Sequence, residues 1–359
     1  MSIVPLYGHA VLARRLLAQD ARKALPASLL FQGPRGVGKQ RLALWLGQAL
    51  LCTAAPDARP CGVCQSCRYA AELCHPDLRW VYPRPRLKDA DAAAREVDQD
   101  YAEATAERVK EGGLYAPPSG SEAIYVATVR TIVQQAVMSP SIGRRKVFVI
   151  GDAERMVPQE GADAAANAFL KLLEEPPADT TILLTSSEPG ALLPTIRSRV
   201  VAVRVPALPE RDMLAFLADT RVAAALDADR GLPRGAAERA RLAAGAPGTL
   251  IGRGEQVAAS EAAARLLEAA TASRATRFRV AFAQGGARAR GAYSDVLDAL
   301  SVLLHERARA AARRDDAPAA LGAARAVECV ECAKARAAGN VNPSLVTASL
   351  LRDLHATLS

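Results

Sequence analysis

Residues 33–40, Gly-Pro-Arg-Gly-Val-Gly-Lys-Gln, keep the spacing of a phosphate-binding loop at every position but the last. In such a loop backbone N–H groups surround the phosphates, the lysine reaches the terminal ones, and a Ser or Thr hydroxyl ligates Mg2+. Gly33, Gly36, Gly38 and Lys39 retain the first two capacities. Gln40 puts an amide on a longer, flexible stem where the hydroxyl belongs, which makes a poor Mg2+ ligand. The chemistry also needs an acidic strand end, with an Asp for the metal and then a Glu for the attacking water. Here Val147-Phe148-Val149-Ile150 leads into Gly151 and Asp152. The Asp place is empty, and the Glu place holds a carboxylate one methylene shorter. Sliding the register by one leaves Asp152 followed by Ala153. One carboxylate stands where two are needed, so hydrolysis is not expected, while binding of ATP or ADP by the remaining loop stays open.

Cys52, Cys61, Cys64 and Cys67 form C-x8-C-x2-C-x2-C. Two-residue gaps let neighbouring thiolates turn toward one tetrahedral Zn2+ at about 2.3 Å. Four protein ligands leave no open position, so this ion would be structural and its loss would cost local folding. Cys74 and His75 are rival fourth ligands, ranked behind Cys52. An iron–sulfur site would end on a different spacing, near Cys-Pro. Cys329 and Cys332 read as ordinary helix-face thiols. Near the end of the strand-bearing region, Arg197 and Arg199 flank Ser198. They are either surface arginines or, for one of them, an arginine finger. Guanidinium stays charged and forms forked bonds to phosphate oxygens, and a finger is worth about 10³–10⁵ in rate. Spacing does not choose between the two.

Positioning these groups takes strands that end in loops. Residues 28–32 read as a short buried strand running into the Gly-rich loop, and 39–52 as a helix with Leu42, Leu46, Ala49 and Leu50 inward. An amphipathic helix is expected over 9–25, with Val11, Leu12, Leu16 and Leu17 on one face. Residues 77–83 suggest a strand and 128–138 a helix. Buried strands are expected at 145–150, 180–187 and 199–206, with a helix at 161–175 stopped by Pro176 and Pro177. This alternation implies a parallel, three-layer α/β domain to about residue 206.

Residues 87–120 differ in character. From Leu87 to Gly112 they carry eight acids (Asp89, Asp91, Glu96, Asp98, Asp100, Glu103, Glu107, Glu111) against four bases (Lys88, Arg95, Arg108, Lys110). A solvated, helical or partly disordered insertion is the expectation. Beyond 206 strand signals stop. A small helical region closes with Gly-Ala-Pro-Gly at 245–248, and Ala/Arg/Leu helices run from about 255. The last opens on Asn342 as N-cap and Pro343, and carries Leu345, Leu350, Leu351 and Leu354.

The chain has 359 residues, half of them apolar, and a net charge of +8, a mild basic balance compatible with nucleic acid nearby. It has no run of 18 apolar residues, so no membrane span is expected. Its first residues lack the basic start, apolar run and cleavage site of a signal peptide. A cytoplasmic setting is therefore expected, with the seven cysteines as thiols or metal ligands.

Taken in order, LPASLLFQGPRGVGK (25–39), the cysteine knot, HPDL (75–78), RRKVFVIGDAERM (144–156), AANAFLKLLEEPP (165–177), ILLTSSEP (182–189) and TIRSRV (195–200) resemble the AAA+ clamp-loader subunits of bacterial DNA polymerase III. GDAERM stands where the ATPase members, gamma/tau, carry Asp-Glu. Ser198-Arg199 matches the family's Ser-Arg-Cys motif, with Val200 in the Cys place. The likeness is detailed over about 25–35 and 52–210 and sparse afterwards. It implies an AAA+ core over 1–206, holding a zinc module (52–67) and the acidic insertion (87–120), then a helical lid (207–254) and a helical collar for oligomerisation (255–359). It further implies a non-hydrolysing subunit of a heteropentamer with delta and three gamma/tau copies, which loads the β sliding clamp onto primer-template DNA. Arg199 would complete a neighbouring gamma/tau ATP site, and Ser186 matches the polar sensor position. The alternative is an active gamma/tau-type ATPase with Asp152 as a shifted Mg2+ ligand.

Overall fold

The computed structural model describes residues 2–87, 89, 92–116, 118, 122–156, 163–229, 231–283, 290–338 and 342–358. Parts of the expected 87–120 insertion and the first two residues of the expected 161–175 helix lie outside them. Five strands, β1 (Ser28–Gln32), β2 (Leu78–Val81), β3 (Lys146–Ile150), β4 (Thr180–Ser186) and β5 (Val201–Arg204), form one sheet in the order β2-β3-β4-β1-β5. Every pairing is parallel. Parallel neighbours need crossovers, and helices supply them: α2 (Lys39–Leu51), α5 (Val126–Ala136) and α6 (Asp163–Glu174) among others. The central strands are buried on both faces, which explains their unbroken apolar runs, such as Val147–Ile150 and Ile182–Leu184. This is the α/β core of the AAA+ fold, and among the described residues after it the regular elements are all helices.

The carboxyl ends of β1, β3 and β4 lie side by side, since β4 pairs with both β1 and β3. In open α/β sheets ligand sites form at such ends, and residues 33–40, 151–154 and 186–188 meet there. β5 departs from the expected buried strand over 199–206. It is four residues long, sits at the sheet edge against β1 alone, and leaves Val201 51% exposed. An apolar run does not reveal whether a strand is central or marginal.

The acidic segment is helical, one of the forms expected of it, but it is not merely solvated. Its helix α4 (Ala94–Lys110) buries Val97 and Tyr101 and is clamped to the core by its own acids. Asp100 takes a forked bond from Arg84 (2.8 and 2.9 Å), and Asp98 pairs with Arg79 and accepts from Gln135. In the first helix, α1 (Ala10–Ala21), Ala13 and Leu16 are buried while Val11 is 74% exposed, because its position is rotated off the packed stripe.

Two compact units divide the chain, the first made of Met1–Pro117 and Glu122–Ile251 and the second of Gly252–Ser359 with Pro118–Ser121. The first holds the sheet's core and a separate apolar cluster of Met213, Phe216, Val222, Leu226 and Leu250. The second is helical and is built around Leu266, Leu297, Leu300, Leu304, Val330 and Leu351. Its last helix, Pro343–Leu358, buries Leu350, Leu351 and Leu354 but exposes Leu345, which lies on the outer face. Asn342 caps it by accepting from Ser344 N–H at 2.9 Å. Among the described residues no helix is long and apolar enough to cross a membrane.

Candidate functional site

The Gly-rich loop leaves β1 and enters α2 through Gly38, which holds a left-handed φ of 93° that L side chains rarely adopt. Gly36, with φ of 80°, lies under the turn at 247–250: its carbonyl accepts from Gly248 N–H at 2.8 Å, and a Cβ there would come within 2.7 Å of Thr249 N. Gly33 passes so close to Val205 that a Cβ would overlap its carbonyl oxygen. Lys39 is buried, and its ammonium donates to Gly33 O (2.9 Å), Pro34 O (2.8 Å) and Ser187 Oγ (2.9 Å). Burial lowers its pKa despite the carboxylates of Asp152 and Glu154 nearby. All three ammonium donors are thus committed within the protein.

The metal end of the site is filled by side chains. Gln40 Oε1 accepts from Trp80 Nε1–H (2.9 Å), and its Nε2 donates to Asp152 Oδ2 (3.2 Å). A Cβ at Gly151 would lie 2.5 Å from Gln40 Cδ and 2.8 Å from Nε2. The amide therefore occupies the space that an aspartate at 151 would enter, and the two sequence departures are one packed unit. Asp152 Oδ2 also accepts from Tyr115 OH at 2.9 Å, and Thr185 Oγ1 accepts from Asp152 N–H at 3.1 Å. Burial, then the nearby Glu154, raises the Asp152 carboxyl above its ordinary value. Glu154 itself accepts from Ser187 N–H at 2.9 Å. The residues present suit phosphate cradling by backbone only in part, and they do not suit Mg2+.

The four thiols Cys52, Cys61, Cys64 and Cys67 come together, with their sulfurs all within 4.8 Å of one another. A tetrahedron with Zn–S of about 2.3 Å has S···S edges of about 3.8 Å, and the Cys52–Cys64 and Cys61–Cys67 pairs stand at 3.9 and 4.0 Å. Backbone N–H groups of Cys61, Cys64 and Cys67 point at Cys52, Cys61 and Cys64 sulfurs, each at 3.4 Å. Burial pushes the Cys64 thiol up, but backbone donors at Thr53 and Cys67 outweigh it and bring it to about 6. The set fits a structural metal. Cys74 and His75 do not join it: Cys74 is exposed and faces Tyr69 O, while buried His75 accepts from Asp77 N–H.

Arg199 follows a short helix, Pro194–Arg197, and is partly exposed. Its Nε donates to Glu174 Oε1 (2.6 Å), its NH2 pairs with the same carboxylate, and its NH1 donates to Thr195 O (2.8 Å). Arg197 is exposed. Arg199 is thus the braced member of the pair.

A family model described as DNA polymerase III, delta subunit matches residues 8–209. The chain belongs to this family. It is of the delta-prime type: the DNA polymerase III subunit delta' of Pseudomonas aeruginosa is 35% identical over 177 residues, covering 49% of this chain and 42% of that protein. The delta' of Escherichia coli is 29% identical over 224 residues, covering 62% and 53%. The gamma/tau subunit of Mycobacterium bovis is 32% identical over 189 residues, covering 53% and 26%. The chain spans about half, or less, of the length of these relatives.

Within this delta-prime-type core, four participants carry no motif signal in the sequence. Lys39 meets Ser187, whereas Ser186 is buried and accepts from Glu188 N–H. Two adjacent serines at a strand end point to opposite sides, so only the strand's facing decides between them. Trp80 and Tyr115 complete the metal end from β2 and from the acidic segment, with Arg108 stacked on the Tyr115 ring, at separations no spacing rule covers.

Proposed function

We propose that this chain is a non-hydrolysing clamp-loader subunit of DNA polymerase III, which assembles with delta and gamma/tau to load the β sliding clamp onto primed DNA. Its parts are an AAA+ core (1–206), a lid (207–254) and a collar (255–359). The observation that carries the non-hydrolysing reading is the Gln40–Gly151 pair. An amide sits where the metal-binding aspartate would project, held there by Trp80 and Asp152. Without a hydroxyl at 40 and an aspartate at 151, the set of groups that a working loop places around Mg2+ is incomplete.

The chain's contribution to ATP chemistry is then made in trans by Arg199. Its fork, now held by Glu174 and Thr195 O, is the geometry that takes two phosphate oxygens. The Glu174 carboxylate pre-orients the guanidinium, which lowers the ordering cost when a neighbour's γ-phosphate replaces it. The four thiols hold Zn2+ as a staple between the end of α2 and the 61–67 loop, with no role in the reaction.

The test is a loader reconstituted with delta, gamma/tau, clamp and primed DNA. Arg199→Ala should lower its stimulated ATPase while leaving assembly intact, and Arg199→Lys should not restore it, because an ammonium cannot fork. Full activity of the Arg199→Ala complex removes the finger role.

A further inference from the structure

The acidic segment reaches into the phosphate site. After α4 the chain reverses through Gly112 and Gly113, both left-handed (φ 73° and 71°). Gly113 N–H bonds back to Arg108 O at 2.7 Å, and a Cβ on Gly113 would overlap Ile3. This turn returns the chain so that Tyr115 lies beside Trp80, with ring centroids 5.8 Å apart, and its hydroxyl bonds Asp152. Arg108 lies between two rings, its Cζ 4.3 Å from the Tyr82 centroid and 4.5 Å from that of Tyr115. A guanidinium over aromatic faces at such distances is attracted by both. The helix that delivers Arg108 is fixed at its other end by the Asp98 and Asp100 pairs and by Tyr101 OH on Tyr82 O at 2.7 Å.

We propose that the 94–116 segment is a metal-excluding plug: Tyr115, braced by Arg108, holds Asp152 Oδ2, a carboxylate oxygen that a divalent cation at this site would draw on. The inference rests on the non-hydrolysing reading and deepens it. Gln40 and Gly151 remove ligands, whereas Tyr115 occupies an oxygen of the Asp152 carboxylate that is still present. A hard divalent cation requires about six oxygens, and Asp152 Oδ2 already accepts from two protein donors, Tyr115 OH and Gln40 Nε2. Tyr115 is thus a specificity-determining residue that acts through the Asp152 carboxylate.

The test restores the ligands with and without the plug. Gln40→Thr/Gly151→Asp in the full chain is compared with the same pair plus Tyr115→Phe, which keeps the ring and the Arg108 stack while deleting the hydroxyl. Binding of Mn2+–ADP is measured by electron paramagnetic resonance of the free ion, and a thermal melt verifies folding. The triple variant should bind at least ~10-fold more tightly than the double, about 1.4 kcal/mol. Tyr115→Ala on the same pair should bind at least as tightly as the Phe version. Equal affinity of double and triple variants, including no binding by either, overturns the plug. Steady ATP turnover by the unaltered chain would instead overturn the non-hydrolysing reading, so the two failures are distinguishable.

Discussion

Gly151→Ala puts one methyl group into the space that the Gln40 amide fills, and its cost can be worked out in advance. Gly151 lies outside the left-handed region, so alanine is conformationally allowed and adds no backbone strain. The added carbon would stand 2.5 Å from Gln40 Cδ, so the amide has to leave. Leaving breaks the bonds from Trp80 Nε1 and to Asp152. A neutral bond contributes about 1 kcal/mol and one to a carboxylate about 1.5–3 kcal/mol, which sets the loss at roughly 2–4 kcal/mol. In a Gln40→Ala background the amide is already gone, and the same methyl should cost under about 0.5 kcal/mol, as for a site free of clashes. The coupling energy is therefore about 2 kcal/mol. Both tryptophans, Trp45 and Trp80, lie in the first unit. Urea unfolding followed by tryptophan fluorescence reports that unit and not the helical second one, which avoids forcing one transition on two units. Additive losses within about 0.5 kcal/mol would refute the claim that Gln40 and Gly151 form one packed pair.

Metal analysis of carefully prepared protein should find one zinc per chain, and Cys61→Ser or a strong chelator should loosen residues 52–67 first, seen as faster amide exchange there. Less than about half an equivalent would sink the four-thiolate site. Asp77 supplies a pH test. Burial pushes its carboxyl up, but N–H donors from Ser141 (2.6 Å), Ile142 (2.9 Å) and Gly143 (2.6 Å) outweigh that and hold it below the usual value. A depressed carboxyl stabilises above its unfolded pKa and loses that contribution as pH falls through the folded one. Asp77→Asn should cost about 1–3 kcal/mol at pH 7, with the deficit shrinking in acid; melts showing an equal deficit at pH 7 and pH 3 would contradict this.

What the sequence made legible is what local pattern encodes. Apolar runs ending in Gly or Asp mark β1 and β3, because a central parallel strand must be apolar on both faces. The cysteine spacing brings four sulfurs together because each short gap is a turn. Legibility fails where the deciding partner is distant. Asp98 and Asp100 look like solvated charge until Arg79 and Arg84 are folded against them, and Val201 looks buried until β5 is seen to have one neighbour. Tyr115 lies 37 residues before Asp152, the carboxylate it bonds. Gln40 and Gly151 were each visible as a departure, but their complementarity is a property of space.

The most direct measurement of the central claim is phosphate release from ATP and Mg2+ by the purified chain alone, beside its Lys39→Ala variant. A site whose metal end is occupied by Gln40 and Tyr115 should release phosphate no faster than the variant does, at any protein concentration. Steady turnover that scales with protein and vanishes in Lys39→Ala would show that Mg2+ reaches this site after all.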